Sequence, residues 1–283
     1  MSPASAIHHR DTENSINIII VTHESHAVLE RCLQSLYAQS LSPSRIIIID
    51  SGSSECGYLE RYENDHLHLV RRYDNIGYGA ANNCGIHYLS ADAGYVVFLN
   101  PDVFLEPACL AIGKSLLEEN SRIGVCSGLL MGYDITSDRE TGRIDSAGIY
   151  RTWYGRWYDR GQGSKEVNRY GESADAPALC GAFLFCRINA VRSYFPTVFD
   201  ESFFMYKEDI DLSLRLRRNG WRLRYEPTMR GLHCRGWYPD RRQVGRAWRL
   251  LAARNELLLT GKHRSPYVVY ALFKYLVVKL GDQ

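Results

Sequence analysis

INIIIVT (residues 16–22) is a run of mainly β-branched residues, and RIIIID (45–50) repeats this character further along the chain. The segment 25–39 between them has the periodicity of an amphipathic helix. Strands that are apolar throughout are typical of a parallel sheet buried on both faces, and strand–helix–strand spacing is that of a βαβ unit. The sequence therefore predicts an α/β protein built on a buried parallel sheet.

The same organisation continues along the first half of the chain. Three more elements are predicted, a strand at 67–70, a helix at 78–89 and a strand at 95–99. Polar side chains stand at the carboxyl ends of strands, where sheets of this kind bind ligands. They are Thr22, Asp50, Asn100 and Asp102. We expect residues 15–103 to form a nucleotide-binding half and residues 104–239 an acceptor half that shares its sheet.

The composition excludes several classes of protein. With 283 residues, 45% hydrophobic and 23% charged, the chain is typical of a soluble globular protein. Its first residues are polar and contain no apolar run of the kind found in a secretory signal, so we expect a cytoplasmic location. The eight cysteines form no CxxC pair, which argues against a zinc site. No zinc-finger spacing, RNA-binding aromatic motif or basic tail supports a nucleic-acid partner.

Basic residues are concentrated near the C-terminus, although the net charge is only +2. Between Arg215 and Gln283 there are 16 Lys and Arg but four acidic residues. This excess suits a phosphate-rich ligand or an anionic membrane surface, while a solvated helix face explains some of it.

The last residues, 240–283, have a helical pattern and predict a helical C-terminal extension. YVVYALFKYLVVKL, which follows Pro266, is apolar except for Lys274 and Lys279. It is shorter than the roughly 20 apolar residues that span a bilayer, so an amphipathic helix that lies at a membrane surface is one interpretation. A helix packed on the domain is the other.

Three carboxylates open the strongly patterned helix KEDIDLSLRLRRNG (207–220). Glu208 and Asp209 fall in its first turn, where the helix dipole favours ionised carboxylates, and Gly220 is placed as a C-terminal cap. Aromatic residues just before it, including Tyr206, could wall a pocket in which a carboxylate takes a proton from a substrate hydroxyl. The alternative is an acidic cluster that only caps a surface helix.

Two turns offer further groups for a ligand. Asp50-Ser51-Gly52 closes the second strand and either binds a nucleobase or ribose or is a plain turn. In NIGYGAANN (75–83) two glycines stand at a helix start, where free amides can face an anion, and a glycine-rich turn without a ligand is the alternative.

A metal site is expected where Asp102 follows a strand, since Mg²⁺ and Mn²⁺ take oxygen ligands and bridge diphosphates. His233 is the candidate second ligand, although a lone histidine is more often structural. Residues 131–178 lack regular periodicity and predict a long loop that acts as a lid or binding surface. Three tryptophans could stack on sugar rings, with ordinary packing as the alternative for each: Trp153, Trp157 and Trp237.

Taken in order, these motifs resemble the GT-A glycosyltransferases of family 2, from about Asn17 to Asn255. IIIVTHES is similar to the family's opening strand, IIIIDSGSSE to its nucleotide-binding motif, FLNPDVFL to its metal-binding motif, and GAFLFCRINAV with FDESFFMYKEDIDLSLRLRRNGWRLRYEP to its acceptor half. NIGYGAANNCGI with LNPD looks most like the rhamnosyltransferase-type members, which use dTDP-L-rhamnose to extend bacterial surface polysaccharides. The resemblance implies a GT-A fold, with a Rossmann-like mixed central sheet and flanking helices.

The resemblance also implies roles for individual residues. Asp209 is expected to be the general base of an inverting displacement, with Glu208 beside it to bind the acceptor or orient the loop, and Mg²⁺ or Mn²⁺ is expected at Asp102, which lies in the metal-binding motif. Donor contacts are expected at Thr22, His23, Glu24, Asp50, Gly52, Asn75, Gly79, Asn82 and Asn100. Arg241, Arg242 and Arg254 join them as diphosphate contacts, partly on charge. Acceptor contacts are expected at Trp153, Trp157, Tyr206 and Trp237.

The sequence departs from the family pattern at two places. Asn100-Pro101-Asp102 stands where many relatives have Asp-x-Asp, so one metal ligand is missing. His23-Glu24 stands where relatives commonly have Tyr-Asn, which affects base recognition.

We expect a catalytic domain over 1–239, followed by the extension 240–283. The predicted acceptor is a saccharide or a polyprenyl-linked glycan, used in the cytoplasm or on the inner face of the cell membrane. A UDP-hexose or other nucleotide sugar is the alternative donor. A catalytically silent nucleotide-sugar-binding subunit is the alternative function.

Overall fold

The computed structural model describes residues 15–234 and 244–281, which are organised around a ten-stranded sheet. The strands are β1 (Ser15–Thr22), β2 (Arg45–Ser51), β3 (Leu67–Arg72), β4 (Ala93–Leu99), β5 (Val103–Leu105), β6 (Ile123–Asp134), β7 (Arg139–Ser146), β8 (Ile149–Arg151), β9 (Trp157–Asp159), β10 (Ala174–Asp175), β11 (Phe183–Arg187) and β12 (Arg222–His233). The helices are α1 (Leu29–Tyr37), α2 (Tyr78–Ile86), α3 (Cys109–Glu119), α4 (Ile188–Val191), α5 (Glu208–Arg218), α6 (Arg246–Lys262) and α7 (Val268–Leu280). Strands β8 and β9 form a separate hairpin.

The central sheet is mixed, and both halves of the chain contribute to it. The strand order is β10-β12-β6-β11-β4-β1-β2-β3, with β5 paired to β12 and β7 to β6. Strands β4, β1, β2 and β3 are parallel neighbours. Strand β11 runs antiparallel to both β4 and β6, and thereby joins the first block to the parallel pair β6 and β12. The prediction that the two halves share one sheet is confirmed.

Helices bury both faces of the parallel block, which explains why β1 and β2 are apolar throughout. Because side chains alternate along a strand, Ile18 and Ile20 pack with residues of α1 and α3, whereas Ile19 packs with residues of α2 and α5 on the other face. All three isoleucines are fully buried. The polar ends of these strands are thereby held at one rigid edge of the sheet.

Residues 131–178 do not form the irregular loop that was predicted, because strands β7 to β10 lie within this segment. Gly148 and Gly155 adopt left-handed backbone conformations, with φ of +87° and +102°. Such conformations reverse the chain tightly and are readily adopted by glycine. Strand β12 is long because it continues past a register shift between Glu226 and Arg230.

The C-terminal part is helical, as predicted, and consists of α6 and α7. No helix in the two described ranges is long and apolar enough to cross a membrane. The division of the chain at residue 239 stays a prediction, because residues 235–243 lie outside the described ranges.

Candidate active site

The segment 205–209, here called the carboxylate turn, leads into α5. Tyr206 and Lys207 both adopt left-handed backbone conformations, with φ of +74° and +79°. These conformations are disfavoured for residues with a Cβ atom, and surrounding contacts must hold them. The helix then begins at Glu208 and has Glu208 and Asp209 in its first turn, as predicted.

Asp209 is partly exposed and accepts hydrogen bonds from two backbone amides. Its Oδ2 lies 3.0 Å from the amide of Gly181, and its Oδ1 lies 2.8 Å from the amide of Ile210. Burial raises the pKa of Asp209 above its ordinary value, although the Gly181 amide and Lys207 act in the opposite direction. A solvent-reachable carboxylate with a raised pKa has the properties of a general base.

Glu208 is more deeply buried than its neighbour. It is 6% exposed, and among the described residues its Oε2 has no hydrogen-bond partner. Burial, and then the charge of Asp209, raise the pKa of Glu208 to about 8. The pair therefore titrates as a unit in which Asp209 ionises first and Glu208 keeps its proton near neutral pH.

The start of α2 packs directly on the carboxylate turn and its neighbours. Tyr78 donates its amide to the carbonyl of Phe204 at 2.9 Å and its hydroxyl to the carbonyl of Gly181 at 2.7 Å. Gly77 has a φ of +80°, and a Cβ added there would lie 2.3 Å from the Phe204 oxygen. The close approach thus requires glycine, and it fixes the first half of the chain against Asp209.

The glycine-rich turn does not present these amides to an anion. Gly77 donates its amide to Oδ1 of Asn75 at 3.0 Å, and the amide of Tyr78 is bound as described above. For these two amides the structure favours the alternative interpretation, a glycine-rich turn without a ligand. Gly79 is buried next to Phe199, and Asn82 donates to the carbonyl of Tyr78 at 3.0 Å. Contacts of Asn75, Gly79 and Asn82 with a donor stay predictions.

Thr22 and Asp50 meet at the carboxyl ends of β1 and β2. The parallel register pairs them, and Thr22 donates its hydroxyl to Oδ1 of Asp50 at 3.0 Å. Ser53 donates its hydroxyl to the same oxygen at 2.6 Å and its amide to Oδ2 at 3.2 Å. Thr22 and Asp50 are almost fully buried. Asp50 therefore organises the turn whose backbone forms the edge of the sheet.

The other predicted donor residues gather at this edge. His23 Nδ1 lies 2.9 Å from the carbonyl of Ser51, and Glu24 accepts the amide of Ser54 at 2.6 Å. Gly52 has a φ of +70°, and a Cβ there would lie 2.5 Å from the amide nitrogen of Asn75. The loops after β1, β2 and β3 are thus packed together, which leaves His23 and Glu24 exposed beside them.

Asp102 and His233 lie side by side because β5 pairs with the end of β12, where His233 stands opposite Val103. His233 Nε2 is 3.4 Å from Oδ1 of Asp102, and its Nδ1 is 2.8 Å from Oδ2 of Asp145. Burial lowers the pKa of His233, but Asp102 and Asp145 outweigh burial and raise it to about 9. A carboxylate on the second ring nitrogen orients the imidazole, as it does in metal-binding histidines.

Asp102 and His233 together supply two possible metal ligands. Across residues 15–234 and 244–281 there is no group of three or more His, Cys, Asp or Glu that could hold a metal ion. Asn100 stands on the same edge, and its amide donates to the carbonyl of Ala182 at 2.9 Å.

The three predicted acceptor residues within the described ranges do not form one cluster. Tyr206 is in the carboxylate turn, 38% exposed, with its ring centroid 6.2 Å from that of Trp248 in α6. Trp157 is buried beneath the guanidinium of Arg151, which favours the packing alternative. Trp153 is 87% exposed at the tip of the β8–β9 hairpin. Arg254 lies on α6 and is exposed, whereas Trp237, Arg241 and Arg242 lie outside the described residues.

Sequence reasoning missed the polar network that joins α5 to the C-terminal helix α6. Asp211 is fully buried, with Oδ1 2.8 Å from Nε2 of His263 and 2.7 Å from Nζ of Lys262. Burial opposes its ionisation, but its hydrogen bonds to His263 and Lys262 prevail and lower its pKa to about 2. Asn255, also on α6, binds the carbonyls of Met205 and Tyr206. The only available signal was a polar face on a helix.

A mixed α/β sheet with carboxylates gathered at its carboxyl edge is the arrangement of a GT-A glycosyltransferase. The model of the family described as glycosyl transferase family 2 matches residues 17–185. The chain belongs to glycosyltransferase family 2 and is an enzyme of that class.

Two relatives resemble the chain over most of its length. The chain is 29% identical over 235 residues to the N-acetylglucosaminyl-diphospho-decaprenol L-rhamnosyltransferase of Mycobacterium tuberculosis, covering 76% of this chain and 75% of the relative. It is 26% identical over 246 residues to the rhamnosyltransferase WbbL of Escherichia coli, covering 77% of this chain and 83% of the relative. The rhamnosyltransferase-like character predicted from the motifs is confirmed at the level of similarity.

Solved structures show the same fold at low sequence identity. GalNAc-T7 with UDP, GalNAc and Mn²⁺ aligns with a TM-score of 0.63 at 15% identity, covering 96% of this chain and 58% of that one. The mannosyltransferase PcManGT of Pyrobaculum calidifontis, in complex with GDP-Man and Mn²⁺, aligns with a TM-score of 0.59 at 17% identity, covering 94% and 70%. These likenesses confirm the GT-A fold.

Proposed function

We propose that this enzyme transfers L-rhamnose from dTDP-L-rhamnose to a polyprenyl-linked glycan or another saccharide acceptor during synthesis of a bacterial surface polysaccharide. The similarity to two rhamnosyltransferases over about three quarters of the chain carries this proposal. The mycobacterial relative is named for an N-acetylglucosaminyl-diphospho-decaprenol acceptor. The geometry supports it, because the start of α2 is hydrogen-bonded to Phe204, the residue just before the carboxylate turn.

Asp209 is proposed as the general base. One of its oxygens accepts the proton of the acceptor hydroxyl while the hydroxyl oxygen forms a bond to the anomeric carbon of rhamnose. The bond from that carbon to the diphosphate breaks, and dTDP leaves with the bonding electrons. The amides of Gly181 and Ile210 orient the Asp209 carboxylate, and protonated Glu208 keeps a second negative charge away from it.

The stereochemical outcome follows from a single displacement. Attack opposite the leaving group inverts the anomeric centre, so dTDP-β-L-rhamnose yields an α-L-rhamnoside. The one-bond carbon–hydrogen coupling at the anomeric position, measured by NMR, distinguishes this product from a retained anomer. A retained anomer would contradict the proposed role of Asp209.

The residues at β5 and β12 fit a divalent cation. Asp102 offers a carboxylate oxygen and His233 an imidazole nitrogen, and Asp145 orients the imidazole from behind. Such a mixed donor set would suit Mn²⁺ better than Mg²⁺, which prefers oxygen ligands, and His233 would release its Nε2 proton on binding. A bound cation would neutralise charge on the departing diphosphate.

We also propose that the enzyme works at an anionic membrane surface, where a polyprenyl-linked acceptor is found. Exposed apolar side chains recur along one face of α7: Val268, Val269, Leu272, Phe273, Leu276, Val277 and Leu280. Residues 244–281 contain seven Lys and Arg but only one acidic residue, so the charge complements anionic lipid. The exposed Trp153 lies on a hairpin that adjoins α7, since the ring centroids of Tyr154 and Tyr270 are 5.4 Å apart.

The donor proposal is tested by a thermal-shift screen of dTDP-L-rhamnose, UDP-hexoses and GDP sugars, each with and without Mn²⁺, because a ligand of the native state raises its stability. Preferential stabilisation by dTDP-L-rhamnose, followed by transfer to a lipid-linked acceptor, is expected. Preference for a UDP sugar would replace the donor. Binding of a donor without transfer or hydrolysis would identify a silent binding subunit.

The membrane proposal is tested by flotation with anionic and neutral vesicles. Val269→Ser combined with Phe273→Ser should abolish binding to anionic vesicles without unfolding, because both side chains are largely exposed. Tyr37→Ser, which removes an exposed aromatic ring from α1, is the matched control. Equal flotation of both variants and the wild type would refute a role for α7.

A further inference from the structure

We infer that Asn255 is a positioning residue for the catalytic carboxylates, acting from α6 on the backbone of the carboxylate turn. Its side chain is fully buried, and Nδ2 donates to the carbonyl of Met205 at 2.8 Å and to that of Tyr206 at 3.1 Å. This inference rests on the proposed role of Asp209 as the base, and it assigns a function to α6 that is separate from the membrane contact proposed for α7.

The two carbonyls lie in the backbone segment that leads into α5. They belong to the peptide groups that flank Tyr206, and Tyr206 and Lys207 are the two residues in left-handed conformations. A side chain with a Cβ prefers the right-handed or extended regions, so this pair of conformations relaxes unless contacts oppose the change. One amide group that binds both carbonyls holds both peptide planes and thereby fixes the start of α5, whose first turn carries Asp209.

The helix that carries Asn255 is itself fixed on either side of this contact. Towards its start, the ring of Trp248 lies against that of Tyr206. At its end, His263 binds Asp211 through Nε2 and accepts a hydrogen bond from Arg218 on its carbonyl at 2.9 Å. Both partners at the end belong to α5. The helix α6 is therefore held against α5 at its end, and Asn255 contacts the backbone before α5 from this fixed helix.

The test compares Asn255→Leu with Thr260→Val. Leu keeps the approximate volume but has no donor, whereas Thr260 is a buried residue of the same helix whose hydroxyl binds only carbonyls of α6, those of Glu256 and Leu257. Both variants should melt at lower temperature than the wild type. Only Asn255→Leu should lower kcat for transfer, by about tenfold or more, with the donor KM changed less than about threefold.

Hydrogen–deuterium exchange gives a readout that does not depend on the reaction. Amides of residues 205–211 should exchange about tenfold faster or more in Asn255→Leu and at the wild-type rate in Thr260→Val. Unchanged exchange in Asn255→Leu would overturn the inference even if the enzyme uses a different donor. Faster exchange with an inactive wild type would instead refute the proposed function. If Asn255→Leu does not fold, Asn255→Ala replaces it, because alanine has no side-chain donor and favours a helix.

A second-site comparison separates backbone strain from general damage. In the Asn255→Leu background, Lys207→Gly should recover kcat by about threefold or more, because glycine adopts the left-handed conformation without the restraint. Lys207→Ala removes the same charge but keeps Cβ, and it should give no recovery. Equal effects of Gly and Ala would show that Asn255 does not act through this conformation and would overturn the inference.

Discussion

Replacing Glu208 with glutamine should stabilise the protein at alkaline pH, and the effect should vanish in acid. The pKa of Glu208 is raised from 4.5 to about 8, first by burial and then by the charge of Asp209. Above about pH 4.5 the unfolded chain loses this proton while the folded protein keeps it until about pH 8. The unfolded state therefore binds fewer protons, and the wild type loses stability as the pH rises through this window.

The magnitude follows from the displacement of the pKa, because Glu208 is only 6% exposed and solvent screens it little. A shift of this size corresponds to on the order of 5 kcal/mol between the two ends of the window. Glutamine has nearly the same shape and no proton to lose, so Glu208→Gln removes this dependence. The variant should gain a few kcal/mol over the wild type near pH 8 and should match it closely near pH 4.5.

Urea unfolding of the wild type and Glu208→Gln across this pH range measures the difference directly. Glu63→Gln, at an exposed glutamate, is the control and should follow the wild type at every pH. Parallel stability curves for Glu208→Gln and the wild type would refute the reasoning, since they would mean that Glu208 ionises equally in both states.

Three further predictions concern the reaction and the backbone around it. Asp209→Asn should lower kcat by roughly 10² to 10⁴ with little change in donor KM, and near-normal turnover in a steady-state assay would contradict its role as the base. Asp102→Ala should weaken donor binding measured calorimetrically with Mn²⁺, and excess chelator should reduce activity; full activity with chelator would exclude a required metal. Gly77→Ala should destabilise the protein by about 2 kcal/mol or more and lower kcat, because its Cβ would meet the Phe204 oxygen, and an unchanged melting temperature would contradict this close approach.

The sheet and its functional edge could be predicted because their signals are local. The β-branched runs before Thr22 and Asp50 specify neighbouring buried strands, and parallel strands bring their carboxyl ends to one edge. The position of Glu208 and Asp209 in the first turn of α5 follows equally from a local helical pattern. His233 could be named from the sequence only as a candidate partner of Asp102, since the pairing of β5 with β12 that brings them together joins distant parts of the chain.

The features that could not be predicted depend on conformation or on distant contacts. The left-handed φ angles of Tyr206 and Lys207 have no sequence signal, because neither residue favours that region. The contact of Asn255 with Met205 spans 50 positions, and that of His263 with Asp211 spans 52. Trp157 was predicted to bind the acceptor, with packing as the alternative, and only its surroundings in the fold favour packing.

The ion pair between Glu256 of α6 and Lys274 of α7 bears on how the C-terminal helices can be studied. Glu256 is 1% exposed, it adjoins Asn255 in the chain, and its Oε2 contacts the ammonium of Lys274. Deleting α7 to obtain a more soluble protein would remove the partner of this carboxylate and the helix that packs on α6. A shortened chain would then lose activity for a reason unrelated to lipid. Single substitutions on the outer face of α7, which leave Lys274 in place, separate the two effects.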